Sequence, residues 1–221
     1  WSLMGNGENM CLLNKYKIKI IDEENIINSV RELIEKYFTK EKKNDKIVYE
    51  FLNNIFSLPG DNAISKLKLK SGKFDKETAI KENGIILRTK SYYEEPGKKG
   101  DVSLTNYKVG DTIDAYKIEY DEKNDKEIRT PVKLKVLATT EDLLPGHLSS
   151  SYMGLDFITY DEVGQKLGFD VNKDRIYIST NKEDDTRKVI KEIAEKYGYN
   201  ITDEIEYARE NEQSMMAMKV F

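Results

Sequence analysis

The stretch VRELIEKY, Val30–Tyr37, returns 160 positions later as IKEIAEKY, Ile190–Tyr197, with Glu32, Glu35, Lys36 and Tyr37 recurring as Glu192, Glu195, Lys196 and Tyr197. Each copy sits inside a longer apolar stripe of helical period. The first stripe runs Ile26, Ile27, Val30, Leu33, Ile34, Tyr37, Phe38, and the second runs Val189, Ile190, Ile193, Ala194, Tyr197. A strand-like alternation precedes each helix, KYKIKI at Lys15–Ile20 and RIYIST at Arg175–Thr180, and the same offset lays Ile18 on Ile178. A strand-like run follows each, DKIVYEF at Asp45–Phe51 and DEIEY at Asp203–Tyr207. Acidic residues (Asp22–Glu24, Asp184, Asp185) open the helices, and Gly198 supplies a stop for the second.

Strand, helix, strand at both ends predicts an α+β fold. Its core would be a split βαβ, ferredoxin-like, porter-type lobe, an antiparallel sheet with both helices on one face. The middle of the chain has a different character. SKLKLKSGKF (Ser65–Phe74) reads as a strand running into a glycine turn, and NGIILRTKSYY follows before a polar loop, EEPGKKGD. YKVGDTIDAYKIEY (Tyr107–Tyr120) and IRTPVKLKVLATT (Ile128–Thr140) form a hairpin around DEKND, and FITYDEVGQKLG is a strand turning into a short helix. The expected organisation is therefore a discontinuous porter-like lobe, residues 1–64 with 170–221, and an inserted smaller β-rich lobe, residues 65–169.

Charge and rare residues narrow the function classes. The 36 basic and 40 acidic side chains are interspersed, with no basic stripe to neutralise phosphates, which argues against a nucleic-acid partner. A single cysteine, Cys11, forbids an internal disulfide or a CxxC site. The lone histidine, His147, has no HxxxH or HExxH spacing, so a Cys11/His147 dyad lacks any supporting signature. Ser149, Ser150 and Ser151 beside it read as a Ser/Gly loop, with no GxSxG elbow. In YKVGDTI, Gly110 suits a positive φ and Asp111 a local backbone hydrogen bond, without the further glycines of a phosphate cradle. Tyr92, Tyr93, Tyr152 and Met153 fall in loop-like stretches where aromatics could meet a partner, though local packing is their ordinary role. No catalytic, cofactor-binding or metal-ligating residue is assigned, and no cofactor is expected.

In order along the chain, LKLKSGKF, NGIIL, YKVGDTI, VKLKVLAT, FITYDEVGQKLG and RIYIST resemble the extracytoplasmic, MacB-like periplasmic core domain of FtsX-like ABC transporter permeases. The resemblance covers residues 63–221 in sequence and the first sixty by topology. Asp75 stands where the family has a proline after its Leu-x-x-Gly-Arg/Lys-x run. The Lys-, Asn- and Ile-rich composition with little cysteine fits a Gram-positive bacterium, which faces outward without a periplasm. The resemblance implies a non-catalytic extracellular domain on the cell membrane. It would lie between transmembrane helices, with Met215, Met216, Met218, Val220 and Phe221 opening the returning one. It also implies partners: the permease's own transmembrane helices, a separate cytoplasmic ABC ATPase subunit, a second permease copy, and a peptide or lipid substrate. The alternative is a free-standing secreted binding or adhesion module.

Overall fold

The computed structural model describes residues 9–22, 26–27, 31–37, 39–43, 46–143, 153–171, 175–179, 183–198 and 200–201. By contacts the chain divides into two units, one running from Glu8 to Ser179 with Trp1–Met4, the other Thr180–Phe221 with Gly5–Gly7. The fold is α+β and mostly sheet. In order the elements are β1 (Asn9–Asp22), α1 (Arg31–Tyr37), β2 (Thr39–Lys43), β3 (Lys46–Leu58), α2 (Asp61–Ile64), β4 (Leu69–Gly72), α3 (Lys76–Glu82) and β5 (Gly84–Arg88). There follow β6 (Ser91–Glu95), β7 (Lys98–Val102), β8 (Thr112–Asp121), β9 (Lys126–Thr140), β10 (Asp156–Tyr160), α4 (Asp161–Lys166), β11 (Arg175–Ser179) and α5 (Glu183–Tyr197).

Six strands close on themselves. β1 pairs with β8, β8 with β9, β9 with β5, β5 with β10, β10 with β3, and β3 returns to β1. The β3–β10 and β5–β9 pairs are parallel and the other four antiparallel. Closure removes the open edges that an exposed sheet would have to protect.

Burial decides which face points inward. On β8, Ile113 and Ala115 are buried between exposed Thr112 and Asp114; on β9, Leu134 is buried beside exposed Lys133. Following the register from Ile113 to Leu134, from Val136 to Ile85, from Leu87 to Phe157 and on to Ile55 keeps one face around the circuit. That face returns through Asn53 opposite Ile18. Apart from Asn53, a buried polar residue, these are core side chains, so the barrel interior is packed largely with branched and aromatic residues. On β3, β5 and β10 the outer face is buried too, at Phe56, Ile86 and Ile158. There α3 packs on β5, β9 and β10, and β5 and β10, covered on both faces, read as nearly unbroken apolar runs. The approach is close: a Cβ on Gly84 would lie 2.8 Å from the Ala79 Cα of α3 and 2.2 Å from the Leu137 side chain.

α4 crosses one end of this barrel. It leaves β10, whose place in the ring is opposite β8. The turn that ends it reaches β8, where the inward-facing Lys117 donates from Nζ to the Gly168 carbonyl oxygen at 2.7 Å. Lys166 fastens the same helix sideways by donating to the carbonyl oxygens of Ile80 and Lys81 at the end of α3. Val163 and Leu167 are buried beneath it.

Several expectations are revised. The stripe beginning at Ile26 is not helical throughout: Ile26 bridges Thr105, and the Ile27 N–H donates to the Leu104 carbonyl at 3.1 Å, so α1 starts only at Arg31. A backbone partner from far along the chain overrides the local period. EEPGKKGD is not a loop but the end of β6, the turn and most of β7 in the β6–β7 hairpin. Tyr92 and Tyr93 accordingly lie on a strand. Ser65–Phe74 contributes only the four residues of β4. The division into lobes 1–64 with 170–221 and 65–169 meets a sheet that crosses it, because β1 and β3 hydrogen-bond to β8 and β10 and share one core with them. DEIEY and Met215–Phe221 lie outside the described residues.

Other expectations match. β1 contains Lys15–Ile20, β8 and β9 form the hairpin around residues 122–125, and β10 runs straight into α4. Gly110 has φ +96°, and the Asp111 carboxylate accepts from the Lys108 N–H at 2.7 Å. One does not: the run expected to follow the first helix, DKIVYEF, opens β3, which pairs antiparallel with β1 directly, and the strand that follows α1 is β2, also antiparallel to β3. In the second unit, α5 buries Ala194, exposes Ile193 and Tyr197, and ends at Gly198 with φ +71°.

Candidate functional site

Two polar clusters are built into the apolar framework. The first lies where α4 closes the barrel. Ser57 at the end of β3 donates from Oγ to Asp161 Oδ1 at 2.7 Å, and Tyr160 at the end of β10 donates from its hydroxyl to Asp61 Oδ1. The Phe74 ring stacks on Tyr160 at 5.2 Å between centroids and 7° between planes. Lys76 Nζ sits 5.6 Å from the Tyr160 ring centroid and 2.6 Å from Glu162 Oε1. Burial, then the hydrogen bond to Asp61, pushes the Tyr160 phenol far above its ordinary range. It is therefore a fixed donor at neutral pH and not a base. Burial pushes Glu162 up, but the hydrogen bond and charge of Lys76, with its own backbone N–H, outweigh it and hold that carboxyl below its usual range.

The second cluster is a ladder on the outer face of the barrel. Register sets Asn54 beside Asp156, Asp156 beside Arg88, and Arg88 beside Thr140, across four strands. All four are nearly inaccessible, at 4%, 3%, 3% and 0% exposure. Asn54 Nδ2 donates to Asp156 Oδ1 at 3.2 Å. Arg88 donates from Nη1 to the Lys90 carbonyl, and its buried Nε has no partner among the described residues. Burial pulls the guanidinium below its ordinary pKa, while Asp156 above all, then Asp101, Glu141 and Asp142, push it back up. Buried charge of this kind survives only where carboxylates compensate it, and Asp156 is the largest such contributor to Arg88. Thr140 closes the ladder: its hydroxyl donates to the Lys68 carbonyl at 2.9 Å and accepts from the Asp142 N–H at 3.0 Å.

These clusters tie strands and helices together, and what they offer chemically is charge and hydrogen bonding in fixed places. Among the described residues, no three His, Cys, Asp or Glu side chains gather closely enough to hold a metal ion. Of the residues singled out from sequence, Tyr92 is half-buried and donates to Glu94 Oε2 at 2.8 Å, a bond that raises its phenol pKa. Tyr93 packs against the core. Met153 is buried at φ +47°, its N–H donating to the Tyr92 carbonyl at 2.8 Å. His147, Ser149–Ser151 and Tyr152 lie outside the described residues, so the Cys11/His147 pairing does too. The ladder and the crossed Ser57/Asp161 and Tyr160/Asp61 bonds escaped sequence reading. The one signal for the latter was the likeness of DNAISKL (Asp61–Leu67) to DEVGQKL (Asp161–Leu167).

No protein-family model matches the chain, and no curated protein matches it either. No helix among the described residues is long and apolar enough to cross a membrane.

Proposed function

We propose that the chain is a non-catalytic extracellular domain of an FtsX-like ABC transporter permease. It would couple ATP-driven motion of a separate cytoplasmic ATPase to export, sensing or detoxification of an antimicrobial peptide, lipid or similar substrate. The observation that carries this reading is the ordered set of family-like words. They fall on β4, β5, the turn into β8, β9, β10 with α4, and β11, and these elements hydrogen-bond within one framework. A resemblance scattered over unrelated surface loops would carry less weight. The finer architecture that goes with this reading is a split βαβ, porter-type lobe, and in the first half α1 links β1 and β2, two strands of like direction with β3 between them. On this reading the domain transmits displacement. A packed barrel whose polar clusters fasten its elements to one another suits that task.

The test uses the parent protein in its native cells. Fractionation should find it in the membrane, and external protease should cleave within this domain in intact cells. Affinity purification should recover an ABC ATPase. Release of the polypeptide into the medium would replace this reading with the secreted-module alternative, and protection from external protease would overturn the extracellular placement.

A further inference from the structure

Lys117 stands where the β8–β9 hairpin leaves the barrel. β1 pairs with β8 from Ala115 to Lys117 and stops there, with Ile18 opposite Lys117. On the other side, β5 and β4 pair with β9 only from Lys135 onward. Beyond these points, among the described strands, β8 and β9 pair only with each other, from Ile118 with Arg129 to Asp121 with Lys126. A two-stranded ribbon has no third strand and no packing layer to stiffen it, so it bends about its root.

The Lys117 side chain follows Ile113 and Ala115 on the inward face and is only 11% exposed. Its Nζ lies 3.0 Å from Oε1 of Glu119, two residues further along β8, and donates to the Gly168 carbonyl oxygen at 2.7 Å. The Phe169 ring is beside it, with 5.9 Å from Nζ to the centroid. Gly168 takes φ +80° in the turn that ends α4, and a Cβ there would lie 3.4 Å from Nζ. The last carbonyls of a helix lack partners within it, and an ammonium group suits that negative end. The start of α4 is fastened elsewhere, by Ser57 to Asp161 and by Lys76 to Glu162. Its closing turn meets the hairpin through Lys117.

We infer that the ribbon is a lever and Lys117 its bearing on the plug. Bending the ribbon at its root moves the ammonium toward or away from the Gly168 carbonyl, and so sets how readily the closing turn of α4 opens. One ammonium that serves a ribbon carboxylate and a plug carbonyl joins the two ends of the device in a single charge-assisted network. Coupling of this kind is reciprocal: a partner holding the ribbon would be felt at the barrel end, and a change at the barrel end would be felt by that partner. The device stands whether or not the parent protein is a transporter.

Native-state hydrogen exchange reads the device at the amides that close the α4 turn. Leu167, Gly168 and Phe169 donate there to the carbonyl oxygens of Val163, Gln165 and Gly164. Lys117→Met keeps the apolar stem and removes the ammonium, and should speed exchange at these three about tenfold. Ile128→Gly, an exposed change out on the ribbon, softens it and should speed the same three about threefold. In the Lys117→Met background, Ile128→Gly should add nothing further. The Thr89 amide, which donates to the Thr140 carbonyl between the ends of β5 and β9, should stay unchanged in both single variants and the double. Turn amides indifferent to Ile128→Gly, or equally sensitive to it with and without Lys117, would overturn the inference. Acceleration of Thr89 in step with them would overturn it too, because the whole fold would then have loosened.

Discussion

β3 with α2 and β10 with α4 are built alike and end differently. The two strands run parallel in direct register, Ile55 beside Phe157 and Ser57 beside Thr159. Each leads to an aspartate, Asp61 or Asp161, followed by a helical turn in which Ala63 and Leu67 or Val163 and Leu167 are buried. Between strand and helix the β3–α2 pair inserts Pro59 and Gly60; the β10–α4 pair goes directly from Tyr160 to Asp161. With that slack, α2 is a single turn of four residues. Without it, α4 is launched across the barrel end and tied there by Lys117 and Lys166. The lesson is that a local turn and a plug follow two parallel strands that differ by two residues in the connection, with an aspartate at the start of each helix and a leucine six residues on in both.

The largest effects come from the face both strands share. If Ile55 and Phe157 line one interior, Phe157→Ala should cost about 3–5 kcal/mol and Ile55→Ala about 2–5 kcal/mol in chemical denaturation. The double variant should fall short of the sum, because the two side chains are neighbours. Full additivity would break the comparison. Next comes the ladder, which only β10 supplies with an acid: Asp156→Ala removes the main counter-charge of buried Arg88 and should cost about 3 kcal/mol. Replacing Arg88 by methionine in that background should recover much of the loss, since the uncompensated charge goes with it.

The crossed bonds should differ more subtly. Ser57→Ala takes one donor from Asp161, which is buried, and should cost about 1–2 kcal/mol. Tyr160→Phe takes one from Asp61, which is exposed and can turn to water, and should cost about 0.5–1 kcal/mol. Equal costs would mean that the plug is no more desolvated than the turn.

The smallest effect concerns Asp75, exposed at the start of α3, the helix to which the plug is tied. Its side chain accepts from the Thr78 N–H at 2.9 Å, and that bond lowers its pKa. The native value lies below the unfolded one, so the unfolded chain binds the proton first as acid is added. Its contribution is complete above the unfolded pKa and is lost as pH falls through the native one. Asp75→Ala should lower the urea midpoint at neutral pH and leave it unchanged in strong acid, while Asp75→Asn keeps the cap and loses the pH dependence.

How much of this was legible in sequence follows from what each signal measures. Alternation in IRTPVKLKVLATT and the turn residues of DEKND report local geometry, so the β8–β9 hairpin could be read in advance. The helical stripe of Ile26–Phe38 misled at its start, because the period cannot see Thr105. The Arg88 ladder was invisible. Asn54, Arg88, Thr140 and Asp156 are ordinary polar residues in four separate words, and only strand register makes them neighbours.

From the sequence alone came the α+β class, the strands around KYKIKI, VKLKVLAT and FITY, the helix carrying Val189–Tyr197, the glycine-aspartate turn at Gly110, and the scarcity of thiol and imidazole groups. These depend on side-chain period, backbone propensity and composition, which are properties of neighbours in the chain. Tertiary structure decided that six strands close into a ring, that α4 spans its mouth, and which polar residues are sealed inside. Those outcomes depend on pairings between segments tens of residues apart, whose free energy no local window contains.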